Sequence, residues 1–352
     1  MSFNKNLSSR INSRDSVVYF DLLNFLACLC VISMHCNGIV HNFDNSDAWR
    51  RSMVIETLAY WAVPVFCMLS GATMMNYRTR YSTKVFLKRR LMKVGIPLII
   101  WTVVFYFWKI HTGAIVWAGF RDLFNILLNF RVEGVYWFFA PLLMIYISLP
   151  VVSKFSDDKR MLQYMIFAGV LTISVLPFVC SILGVSYNGS LVFPMTGEYL
   201  LYALIGYQLH TKELNPEVRI GIYLLGIIGA LARYLHTAWT LDTTGVPNTM
   251  TWGYSNLPCL VLSVAVFVFV KYASRISFFG REKVKAILRS LASASFGIYL
   301  IHVFVMNVVV AKLGVDMAAS SWQVFGAFLI YFISLAIVKI LQGIPYGKYI
   351  FP

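Results

Sequence analysis

The chain has 352 residues, 59% of them hydrophobic and only 13% charged, with a mean hydropathy of +0.70 and a formal net charge of +15. Such a composition excludes a soluble domain and a disordered chain. It also excludes a nucleic-acid binder, because the positive charge falls in short runs between long apolar stretches.

Apolar runs of about 20 residues each span the ~30 Å hydrocarbon core at ~1.5 Å per residue. They predict an all-α polytopic membrane protein with about ten transmembrane helices, at 17–36, 53–76, 94–110, 135–153, 161–183, 194–210, 218–239, 252–272, 291–311 and 322–342. With a cytoplasmic N-terminus, 23 of the 30 Lys and Arg residues fall on the inner side, so the positive-inside rule places both termini in the cytoplasm. The expected organisation is an N-terminal tail over 1–16, one transmembrane domain over 17–342 and a C-terminal tail over 343–352. The basic start and apolar run imitate a signal peptide, but the full span length and the lack of a small-residue cleavage site predict a retained helix. The six cysteines lie in or at the ends of spans without paired loop spacing, which fits packing residues better than disulfides or a metal site.

The first span carries Asp21, Asn24, Cys28 and His35. At ~100° per residue Asn24 and His35 fall almost on one line, with Asp21 and Cys28 within roughly 40° of it. In lipid each polar group costs energy unless it meets a partner or a water-filled cavity, so this stripe is either helix packing or function. The first outer loop, 37–52, holds Arg50 and Arg51 in a mixed-charge stretch suited to a polar ligand or simply to water. Glu56 opens the second span at a depth comparable with His35, and either orients an imidazole or reaches to the outer interface. Pro64 is expected to kink that helix.

Residues 84–93 form a basic cytoplasmic segment in which Lys88, Arg89 and Arg90 either meet anionic lipid or grip the phosphates of a nucleotide-bearing ligand. The Phe120 to Phe130 stretch of the next outer loop reads as amphipathic, lying on the membrane or roofing a cleft. Tyr136 and Trp137 open the fourth span, as an interfacial aromatic belt or as a stacking surface for a sugar ring. Glu198, Arg233 and His236 gather toward the outer ends of later spans and suggest an outward polar chamber. In the ninth span Ser295, Tyr299 and His302 share a face, with His302 ~16 Å above the inner end by helix rise. No metal motif, phosphate loop or Gly-x-Ser-x-Gly element is visible.

In order, these segments resemble the integral-membrane acyltransferase-3 family. Asp21-Leu-Leu-Asn24 followed after ten residues by His35 is similar to the opening Asp-x-x-Arg…His pattern of that family. The likeness continues through Val63 to Gly71, the basic run Phe86 to Arg90 leading to Ile96-Pro97, Tyr136-Trp137-Phe138 with Tyr146 and Pro150, Tyr202 with Gly206-Tyr207, and Ser295 to His302. It covers nearly the whole chain. The resemblance implies O-acyl transfer, usually of acetyl from acetyl-CoA, to a hydroxyl of a cell-surface polysaccharide or lipid-linked glycan precursor, in the plasma (inner) membrane of a bacterium. It implies His35 as catalytic residue and Arg89 and Arg90 as part of the CoA-donor region. Asn24 departs from the family arginine, so Arg90 replaces that cation, or this branch works without it, or the chain has lost its chemistry.

The expected catalytic group is therefore His35 with Glu56 and His302. Asn24, Lys88, Arg89 and Arg90 are expected on the donor, and Arg50, Arg51, Tyr136, Trp137, Glu198 and Arg233 on the acceptor. The expected partners are the bilayer, a CoA thioester and an extracytoplasmic glycan, without metal or nucleic acid. The rival reading is a transporter or flippase, against which stands the lack of two similar halves or paired broken helices.

Overall fold

The computed structural model describes residues 17–351, so the expected N-terminal tail over 1–16 lies outside the described residues. The described residues are helical throughout, joined by short connections and without a strand. Eight helices are long and apolar enough to cross a membrane: Val18–Cys36, Asp47–Thr79, Thr83–His111, Gly134–Phe155, Lys159–Ile182, Pro216–Thr244, Glu282–Leu313 and Ser320–Gln342. They correspond to eight of the ten expected spans. The other two, Glu198–Thr211 and Leu257–Ala273, have 14 and 17 residues, about 21 and 25 Å by helix rise.

Asp47–Thr79 is the centre of the bundle, with 78% of its apolar window buried, and Pro216–Thr244 lies at the rim with 17%. The rim helix shows Leu224, Ile228, Leu231 and Leu235 outward, the surface a lipid-facing helix needs. Small residues make the centre possible. A Cβ on Gly71 would sit 1.7 Å from the Ala203 carbonyl oxygen, and one on Gly206 would sit 2.1 Å from that of Met68. Those two glycines let Ala62–Met74 and Glu198–Thr211 meet backbone to backbone.

Prolines shape the remaining geometry. The expected bend of the second span falls at Tyr60–Trp61, between Asp47–Ala59 and Ala62–Met74. Pro64 has no N–H to offer the Tyr60 carbonyl four residues earlier. That carbonyl faces the Cys259 thiol instead, at 4.0 Å. The basic Thr83–Arg90 helix runs without a break through a π-helical turn, Leu91–Gly95, into Ile96–His111. The wider turn accommodates Pro97, and Lys93 and Val94 within it line a cavity. At the other end, Phe351 packs on the Trp101 ring (5.0 Å), and its carbonyl accepts from Gln342 Nε2 at 3.0 Å.

Candidate active site

His35, near the end of the first helix, meets His302 of Glu282–Leu313, with ring centroids 5.2 Å apart and planes inclined by 38°. His302 is fully buried while His35 is partly open. His302 Nδ1 lies 2.8 Å from the Tyr299 carbonyl oxygen. A carbonyl only accepts, so Nδ1 carries the proton and Nε2 keeps its lone pair. That Nε2 is buried without a hydrogen-bond partner. The two helices are fastened lower down, where Cys28 Sγ lies 3.7 Å from the Ser295 carbonyl and Ser295 Oγ lies 3.4 Å from that of Asn24.

On the side expected to face the cytoplasm, a cavity of about 270 Å³ is lined by Arg90 and Lys93, by Asn24, Ser70 and Ser295, and by the rings of Phe138 and Tyr299. Arg90 Nε is buried there without a hydrogen-bond partner. The cavity meets Asn24 but not Cys28, whose thiol is closed against Ser295. Asn24 Nδ2 donates to Phe20 O at 2.9 Å, so the side chain adds no charge. The cations on this cavity are Arg90 and Lys93. Lys88 and Arg89 are exposed on the neighbouring surface, and the Arg89 guanidinium rests 4.7 Å over the Tyr81 ring. A second hollow of about 310 Å³ between Leu209, Ile222 and Leu257 is walled by apolar side chains apart from Gln208 and holds no titratable group.

A second cluster, of buried charge and stacked aromatic rings, lies on the side expected to face outward. Glu56 is buried, and its Oε1 lies 3.5 Å from Arg233 Nη2. The Arg233 guanidinium sits 3.5 Å over the Tyr60 ring and 4.7 Å over Trp252. Tyr60 stacks on Tyr254 at 4.4 Å and 7°, and Tyr254 stacks on Trp137 at 5.6 Å and 23°. The result is a continuous column from a buried cation to Trp137, which is 38% exposed and so open to a ligand. Ser52, one turn before Glu56, donates to Asn37 Oδ1 at 3.1 Å and ties this helix to the end of the His35 helix.

The other expected acceptor residues are dispersed. Arg50 pairs with Asp242 at 2.7 Å on the surface, and Arg51 donates to Gln323 Oε1 at 2.7 Å. Glu198 is exposed in the first turn of its helix, where the macrodipole favours an acid. Tyr136 is fully buried and donates to Leu300 O at 3.1 Å. Asp44 accepts from the Ser46 hydroxyl at 2.7 Å and from its backbone N–H at 3.0 Å, which hold its carboxyl below the usual range.

Sequence reasoning missed Lys93 as a cavity residue, Tyr60 and Trp252 as partners of Arg233, and Tyr254 as the ring that continues the stack. Tyr60 had a signal, since it stands four residues before Pro64, where a helix must break. Tyr254 and Trp252 lie in a turn whose placement depends on the fold.

A family model described as an acyltransferase domain, acyltransferase 3, matches residues 17–341. No curated protein and no solved structure matches the chain. The family match spans every helix that builds the histidine pair, the inner cavity and the aromatic column, and the chain thus belongs to the acyltransferase-3 family of membrane acyltransferases.

Proposed function

We propose that this protein transfers an acyl group, acetyl above all, from a cytosolic CoA thioester to a hydroxyl of a cell-surface polysaccharide or lipid-linked glycan precursor. It does so as a ten-span protein of a bacterial plasma membrane with both termini cytoplasmic. One juxtaposition carries the reading: the cavity that Arg90 and Lys93 line is also lined by Tyr299, one helical turn from His302.

The lining fits such a donor from end to end. Arg90 offers a buried guanidinium N–H without a partner, the group that binds a phosphate oxygen well. Asn24, Ser70 and Ser295 supply polar contacts for the amides of a pantetheine arm. Lys88 and Arg89 lie just outside and attract the anionic donor electrostatically. Arg90 thereby takes over the cationic role that Asn24 cannot fill.

On the acceptor side, a sugar hydroxyl is a poor nucleophile until a base takes its proton. His35 is the base in this reading, partly open and paired with His302. The hydroxyl oxygen attacks the thioester carbonyl, the C–S bond breaks, and the departing thiolate takes up the proton, giving an ester and free CoA. His302 Nε2, bare and buried, receives or steadies the proton that His35 gains. Glu56 and Arg233 hold the base of the aromatic column, and Trp137 offers its face to a sugar ring.

Purified protein incubated with labelled acetyl-CoA and a candidate glycan tests this. Labelled ester on the glycan supports it, whereas glycan moved across a vesicle membrane without modification favours a transporter.

A further inference from the structure

Four aromatic rings, Phe66, Phe138, Phe139 and Tyr299, line the donor cavity. Neither histidine lines it, and Tyr299 is the residue shared between the two places, with its ring on the cavity and 5.6 Å from the ring of His302. Phe138 and Phe139 each stand 5.8 Å from Tyr299, and Phe66 stands 6.2 Å from Phe138, so this wall is made of interlocked rings.

The wall is also pinned. The Tyr299 hydroxyl donates to the Val135 carbonyl, and the Tyr299 carbonyl accepts from His302 Nδ1. From the opposite side Tyr136 donates to Leu300 O. The 3₁₀ turn Gly134–Phe138 is therefore bolted to Glu282–Leu313 at two points, and Phe138 is held between them and the cavity. A packed ring fixed in this way yields to an extra methylene only by distorting its neighbours, which is unfavourable in a dense interior.

We propose that Tyr299, backed by Phe138, gauges acyl length, so that only short acyl groups bring their carbonyl to the end of the cavity nearest the histidines. The proposal rests on the donor reading above. Tyr299 and Phe138 are specificity residues in this account, and His35 remains the base.

The test uses the full chain in detergent with acetyl-, butyryl- and octanoyl-CoA, following release of free CoA thiol in the presence of glycan acceptor. The quantity read is the octanoyl-to-acetyl rate ratio within each variant, which does not depend on how much of the preparation is folded. Wild type is expected to use acetyl-CoA best and octanoyl-CoA least. Phe138→Ala, or the milder Phe138→Leu, is expected to raise the ratio by about tenfold or more. Tyr299→Phe keeps the ring and is expected to raise it less than Phe138→Ala. A wild type that uses octanoyl-CoA as well as acetyl-CoA overturns the gauge, as does an unchanged ratio in both Phe138 variants. Turnover of none of the three thioesters overturns the donor reading and the gauge with it.

Discussion

The inner cavity and the outer aromatic cluster are built on opposite plans. The inner one is hollow, and its polar groups either turn back on their own helix, as Ser70 does toward Phe66 O at 3.0 Å, or stay open, as Arg90 Nε does. The outer one is filled: Arg233 lies between Tyr60 and Trp252, and Tyr60 continues the stack to Tyr254 and Trp137. A thin flexible donor needs room to thread, whereas a ring-shaped acceptor gains from a rigid aromatic face already ordered before it binds. Variants on the inner side should therefore change donor use, and variants on the outer side should change stability first.

The largest expected effect lies at the histidine pair. His35→Ala should lower kcat/KM about 10³-fold while leaving a folded protein in detergent. Activity near the wild-type level would remove His35 as the base. Next comes the outer pair, where Glu56→Gln leaves the buried Arg233 cation without its counter-charge. It should cost about 3 kcal/mol, read as a lower thermal midpoint. Adding Arg233→Gln should restore part of that loss, and a double variant worse than the sum of the two singles would contradict a pairwise charge effect.

On the inner side, Arg90→Ala should raise the KM for acetyl-CoA by about thirtyfold, equal to about 2 kcal/mol for a charge-assisted hydrogen bond. Arg89→Ala, acting on an exposed guanidinium over Tyr81, should change it by less than about threefold. Equal effects at the two arginines would erase the distinction between cavity and surface. The smallest effect belongs to Arg50→Ala, which breaks an exposed ion pair with Asp242 and should shift stability by no more than about 0.5 kcal/mol.

How much of this was legible in the sequence differs by kind of signal. Periodicity and hydropathy located the eight long apolar helices, because a bilayer imposes a length and an apolar surface on each span. The polar stripe of the first helix and the Ser295 to His302 face pointed toward the pair that now stands 5.2 Å apart. Which cations line the cavity was not legible, since Arg89, Arg90 and Lys93 stand in one basic run and only the fold puts Arg90 and Lys93 on the cavity and Arg89 over Tyr81. Nor was the partner of Glu56, because Arg233 lies 177 positions later and reaches it only through the packing of the rim helix on the second span. Tyr136 and Trp137 look alike as an aromatic pair, yet one is buried against Leu300 and the other faces out, a difference set by a 3₁₀ turn.

The central claim is that the inner cavity delivers a CoA thioester to the histidine pair, and a structure of the protein bound to CoA tests it most directly. Density with the nucleotide phosphates beside Arg90 and Lys93 and the thiol beneath Tyr299, one turn from His302, is the predicted result. Density along Arg89 and Tyr81 with the cavity closed, or against the column of Arg233 and Trp137, would contradict it.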